Sequence, residues 1–144
     1  MRVFGHPLHA VLVAFPIGLL TLVPCWDALA LLGVSGAGIA GYLSEIAGLI
    51  AGVLALLTGS IDFALAKKSE AVENLGLLHA TAAVTALSVF AVALVFRSKD
   101  HGATLPAVAL EAAGVVCLSL AGWCGGHLVF HHGVGVRRSE RDGA

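Results

Sequence analysis

Four long apolar segments constrain this chain more than any other feature. They cover residues 7–32, 39–66, 75–96 and 105–132, and each exceeds the roughly 20 residues that a helix needs to cross the hydrocarbon core of a bilayer. Charged residues make up only 12% of the 144, about half of the roughly 25% found in soluble domains. The sequence therefore predicts an all-α integral membrane four-helix up-down bundle. We expect one domain over residues 1–144, with both termini on one side and a polar tail over 133–144.

The charges that the chain does carry limit its partners and its orientation. The formal net charge is −1, so there is no basic field to attract nucleic acid. The first apolar segment lacks a small-residue cleavage site and continues past Trp26, so we interpret it as a span rather than a removable signal. An excess of Lys and Arg favours termini in the cytoplasm. The terminal side carries Arg2, Lys67, Lys68, Arg137, Arg138 and Arg141, and the other side carries Arg97 and Lys99.

Each segment carries one stripe of apolar and ionisable residues at alternating steps of three and four, the spacing of a helix face that packs inside a bundle. These stripes predict the residues that face the interior. They are His6, His9, Val13, Pro16, Leu20, Val23 and Asp27; Gly41, Glu45, Gly48, Gly52, Ala55, Gly59 and Asp62; His79, Ala82, Ala86, Val89 and Ala93; and Glu111, Gly114, Leu118, Ala121, Gly125, Leu128 and His132.

The ionisable residues of the stripes collect at two opposite ends. Because successive spans alternate in direction, His6, His9, Asp62, His79 and His132 are expected in one leaflet. The carboxylates Asp27, Glu45 and Glu111 are expected in the other. Ionisable side chains within membrane segments are costly and are therefore functional candidates.

The histidine end suggests a haem b site. Cofactor sites in four-helix bundles are built from inward side chains on facing helices. The first and third helices of such a bundle are diagonal, so His9 and His79 at matching depth could ligate one iron. We expect His6 and His132 to act as further ligands or propionate partners, Asp62 to orient a ligand, and the glycine row with Gly52 and Gly59 to form a flat wall. The same row also fits close helix packing.

Two other interpretations of the sequence stay open. The first is a directly bound transition metal ion, with His6, His9, Asp62 and His79 as donors. The second is a cofactor-free accessory subunit of a respiratory complex, with small-residue faces that could also support an oligomer. The carboxylate end could be a proton or cation entry site, or could pair with Arg97 or Lys99 in the headgroup region. No nucleophile is paired with a base, so an electron carrier or accessory subunit is favoured over an enzyme.

Several motifs together resemble a bacterial family of membrane proteins, the domain of unknown function 2231. The motifs are His6-Pro7-Leu8-His9, Phe15-Pro16-Ile17-Gly18-Leu19, Gly59-Ser60-Ile61-Asp62, a lone His79, and Gly125 to Val136. The resemblance implies a four-helix domain of the bacterial inner membrane. Similar domains occur fused to Rieske or cytochrome c modules, which implies redox partners by association. The family-like positions are His6, His9, Asp62, His79 and His132.

Overall fold

The structure is a computed structural model, and it describes residues 2–3, 6–66 and 69–136. Within these residues, four helices are long and apolar enough to cross a membrane. The described elements are β1 (Arg2–Val3), β2 (His6–Pro7), α1 (Leu8–Leu12), α2 (Ala14–Leu31), α3 (Ala37–Leu65), α4 (Glu70–Val95) and α5 (Leu105–Phe130). The two short strands pair antiparallel. The predicted all-α membrane fold is confirmed.

The first span is divided at Val13 into α1 and α2. Pro16 accounts for the division, because it has no N–H to donate to the carbonyl of Leu12 and its ring crowds that carbonyl. Pro24 lies inside α2 without interrupting it. The division leaves His9 on a short helix at the end of the span.

The helix ends follow local capping rules. Gly33 and Gly36 adopt positive φ values of 87° and 78° in the turn between α2 and α3, a conformation that glycine tolerates without strain. The α4 helix begins at Glu70 rather than near residue 75, because the Ser69 side chain accepts a hydrogen bond from the Val72 N–H at 3.4 Å. Acidic residues in its first turn favour the same start.

The predicted stripe residues whose side chains are described are buried or partly buried, except His132, which is exposed. In α4 the buried aromatic residue is Phe90, whereas Val89 is only partly buried. The Phe90 ring fits against Gly114 of α5, where a Cβ atom would lie 2.7 Å from Cε2 of Phe90. The buried stripe residues are Pro16, Leu20, Val23, Asp27, Gly41, Glu45, Gly48, Gly52, Ala55, Ala86, Ala93, Glu111, Gly114 and Ala121.

The second half of the bundle repeats the first. We call α1, α2 and α3 the first hairpin, and α4 and α5 the second hairpin. Buried positions of α2 recur 70 residues later, in α4 and at Arg97 just after it. Buried positions of α3 recur 66 residues later, in α5. The pairs are Pro16 and Ala86, Leu20 and Phe90, Val23 and Ala93, Asp27 and Arg97, Gly41 and Ala107, Glu45 and Glu111, Gly48 and Gly114, and Ala55 and Ala121.

Contacts between the helices follow the same repeat. Leu20 packs on Gly48 in the first hairpin, as Phe90 packs on Gly114 in the second. Helix α2 also contacts α5, and α3 contacts α4, so the two hairpins close into one bundle. From these repeated contacts we infer that the two hairpins are related by an approximate two-fold axis along the bundle. Residues on α2 and their equivalents on α4 therefore face each other across that axis.

Replacement of Gly114 by alanine is expected to lower the free energy of unfolding by about 1–3 kcal/mol, the usual cost of overpacking a core. The added methyl group would meet the Phe90 ring. Gly122→Ala on the same helix is the matched control, because no side chain lies within 4 Å of the added Cβ. Unfolding of both variants in detergent measures the difference, and equal stabilities would contradict the packing described here.

Candidate functional site

Two histidines, one from each hairpin, face each other at one end of the bundle. The ring centres of His9 and His79 are 6.3 Å apart, and the ring planes are nearly perpendicular at 87°. Both side chains are half-buried. The two residues are 70 positions apart, so they are equivalent in the repeat and lie on opposite sides of the two-fold axis. The structure thus brings together the two histidines predicted as ligands.

The backbone fixes both imidazoles in the same way. Nδ1 of His9 lies 2.8 Å from the carbonyl oxygen of Ala55, and Nδ1 of His79 lies 2.8 Å from that of Ala121. A carbonyl can only accept, so Nδ1 is the donor and Nε2 of the neutral ring keeps its lone pair. Histidines that bind metals usually have their other ring nitrogen anchored in this manner. Both rings are therefore held so that the lone pair of Nε2 can bind a metal ion.

Two equivalent glycines make room for the imidazoles. A Cβ atom at Gly59 would lie 2.7 Å from Cε1 of His9, and a Cβ atom at Gly125 would lie 3.1 Å from Cε1 of His79. Gly52, predicted to form a wall for a porphyrin, instead faces the side chain of Leu87. The glycine row of α3 thus receives side chains of this chain, as close helix packing requires.

The other predicted members of the histidine end differ in burial, and one of their side chains falls outside the description. The side chain of His6 is not among the described ones, and Asp62 is half-buried on α3. His132 lies in an exposed group with His127 and His131, with ring centres 4.6 to 5.5 Å apart. Within the described residues there is no group of three or more His, Cys, Asp or Glu side chains placed to hold a metal ion.

The opposite end of the bundle holds a buried cluster of charges, which we call the Arg97 cluster: Arg97, Asp27, Glu45 and Glu111. Arg97 Nη2 lies 2.8 Å from Asp27 Oδ2, and Arg97 Nε lies 2.8 Å from Glu45 Oε2. Arg97 Nη2 is 3.3 Å from Glu111 Oε1. The guanidinium is 1% exposed and the three carboxylates are 0% exposed, so all four groups lie inside the protein.

The loop that follows α4 holds the guanidinium in place. Arg97 Nη1 donates to the backbone carbonyl of His101 at 3.2 Å. The His101 ring stacks on Tyr42 of α3 with centres 4.2 Å apart. Burial alone would lower the pKa of Arg97. The hydrogen bond to Glu45 and the surrounding negative charges outweigh burial and raise that pKa above its ordinary value, so the guanidinium stays charged.

The cluster agrees only in part with the expectation that the carboxylates pair with Arg97 or Lys99 in the headgroup region. Pairing with Arg97 is observed, but the carboxylates lie in the protein interior rather than among solvated headgroups, and Lys99 is exposed. Sequence reasoning missed that Arg97 and Asp27 are equivalent positions. The signal that could have shown this is the shared Glu-x-Ala-Gly sequence at 45–48 and 111–114.

Comparison with known proteins places the chain in one family. The chain belongs to the predicted membrane protein family DUF2231, whose model matches residues 5–138. No curated protein and no solved structure matches the chain. The family match agrees with the four apolar helices and confirms the resemblance seen in the sequence.

Proposed function

We propose that this membrane protein is a small redox subunit that binds one haem b, with His9 and His79 as the two axial ligands. The observation that carries the proposal is the pair of imidazoles, one from each hairpin, each anchored through Nδ1 and each with Nε2 available. Bound haem would supply a one-electron carrier. No step of substrate chemistry is required.

The spacing of the two rings supports ligation of one iron from opposite sides. Imidazoles that bind a metal ion on opposite sides, at about 2.0–2.1 Å per bond, have ring centres roughly 6 Å apart. The observed separation is 6.3 Å. Haem needs only two protein donors, which suits the pair better than a bare metal ion with three or four protein ligands.

The neighbouring residues have supporting roles in this proposal. Gly59 and Gly125 provide the space into which the ligand rings fit. Asp62 would orient a ligand, and His6 and His132 would interact with the propionates.

Haem analysis of the purified protein tests the proposal against its alternatives. Protein from haem-replete cells should yield close to one haem b per chain as the pyridine derivative and an α-band on reduction. Metal found by elemental analysis without porphyrin would replace the proposal with a directly bound metal ion. Protein with neither group would point to an accessory subunit of a respiratory complex.

The redox partner should lie on the side of the membrane that the histidines face. Arg97 is buried, so we do not count it among the positive residues that set the topology. That leaves one positive residue, Lys99, on the side of the loop after α4, and six Lys and Arg residues on the side of the termini. We therefore propose a bacterial inner-membrane protein with cytoplasmic termini and the histidine pair nearer the cytoplasm. A Rieske or cytochrome c type partner across the membrane would require a further carrier.

Cysteine labelling tests this orientation. Ser69 and Ser98 are exposed residues in the loops before and after α4. In a background without Cys25, Cys117 and Cys124, an impermeant reagent added to intact cells should label Ser98→Cys only. Labelling of Ser69→Cys alone would reverse the orientation.

A further inference from the structure

The Arg97 cluster contains more negative than positive groups. Three carboxylates surround one guanidinium, and all four side chains are at most 1% exposed. Tyr42 is the neighbouring ionisable group of α3, His101 belongs to the loop after α4, and Lys99 and Asp100 in that loop are exposed. None of the exposed groups enters the cluster. With every group ionised, the cluster would therefore carry two uncompensated negative charges away from water, which is strongly unfavourable.

Three carboxylate oxygens of the cluster have no hydrogen-bond partner among the described residues: Oδ2 of Asp27, Oε1 of Glu45 and Oε2 of Glu111. All three belong to fully buried side chains, and Oδ2 of Asp27 contacts Arg97 Nη2 only as an ion pair, at 2.8 Å. A buried carboxylate oxygen without a donor is unfavourable, whereas a protonated carboxyl becomes a donor itself. The cluster thus has both an excess of charge and a shortage of donors. A bound proton corrects both.

The contacts indicate which carboxyl would hold the proton. Glu45 receives the Nε–H of Arg97 at 2.8 Å, and Asp27 lies 2.8 Å from Nη2. Glu111 is the most distant of the three from the guanidinium, at 3.3 Å, and its Oε1 lies on the same nitrogen, Arg97 Nη2, as Oδ2 of Asp27. Two neighbouring carboxyl groups share a hydrogen bond only when one of them is protonated.

We propose that the Arg97 cluster is a proton-binding site, in which Glu111 carries an exchangeable proton and donates a hydrogen bond to Asp27. Binding converts the Glu111 carboxylate to the neutral acid, and release returns the proton to solvent through the loop over 96–104. The site lies at the opposite end of the bundle from the histidines. The proposal is independent of haem binding.

Infrared spectroscopy of the purified protein in an ester-free detergent tests the site. At neutral pH exposed carboxyls are ionised, so a C=O stretching band of a protonated carboxyl reports a buried one. The wild-type protein should show this band, with a downshift in D₂O. Glu111→Gln, which mimics the protonated side chain, should lose it. Glu73→Gln, at an exposed position in the first turn of α4, should keep it.

A second variant and a salt titration complete the test. Asp27→Asn changes the acceptor and should shift the frequency of the band without removing it. A wild-type protein without the band, or a Glu111→Gln variant with the full band, overturns the proposal. A melting temperature that rises with sodium at constant ionic strength, in protein without the band, would assign the site to a metal cation instead.

Discussion

Replacement of His79 by alanine is expected to lower the haem content at least about tenfold, to near the background of the assay. The loss of a residue that only orients a metal ligand already costs about 10- to 100-fold in affinity, and His79 is proposed as a ligand itself. Because His9 is its equivalent across the two-fold axis, His9→Ala should have the same effect. Haem per chain, measured as the pyridine derivative, gives the result.

The matched control for these variants is His127→Ala. His127 is exposed near the end of α5 and stacks with His131, so its loss should leave the haem content unchanged. Thermal unfolding in the same detergent shows whether the variants still fold. Folded His9→Ala and His79→Ala proteins with normal haem content would contradict the assignment of the ligands.

Replacement of Arg97 by alanine is expected to destabilise the protein by about 3–5 kcal/mol, the usual cost of removing one partner from a buried ion pair. Asp27, Glu45 and Glu111 would remain buried without a counterion. Exposed Lys99→Ala in the same loop is the control, and it should change the free energy of unfolding by no more than about 0.5 kcal/mol.

The internal repeat predicts that a second, compensating substitution restores the stability lost at this cluster. Asp27 and Arg97 are equivalent positions, and exchange of the two leaves Glu45 and Glu111 on either side of the guanidinium. The double variant Asp27→Arg with Arg97→Asp should therefore recover most of the stability that Asp27→Arg alone loses. A double variant no more stable than the single one would contradict the two-fold relation at this end of the bundle.

The sequence was sufficient to predict the spans and the ionisable residues at the two ends of the bundle, because these depend on local patterns. Apolar length predicts the four spans, and three-and-four spacing predicts the stripes that are buried in the structure. His9 and His79 could be paired because diagonal helices bring equal depths together. The start of α4 at Glu70 depends on the Ser69 cap, a weaker signal than the onset of apolar residues after Glu73.

The burial of Arg97 could not be predicted from its neighbours. Arg97 opens the polar sequence Arg97-Ser98-Lys99-Asp100, which is typical of a solvated loop. Only contacts with three other helices, which are distant in sequence, bring it inside. The repeat that would have shown this is concealed by a change of offset from 70 to 66 residues. The change arises because α2 continues for one turn beyond Asp27, whereas α4 ends before Arg97.

The spin state of the iron tests the central claim most directly. Electron paramagnetic resonance of the oxidised, purified protein should show a low-spin ferric haem, because two imidazole ligands produce a strong ligand field. The nearly perpendicular ring planes, at 87°, should give the highly anisotropic type of low-spin signal. A high-spin ferric signal, or no haem iron in protein from haem-replete cells, would contradict the proposal that His9 and His79 hold one haem between the two hairpins.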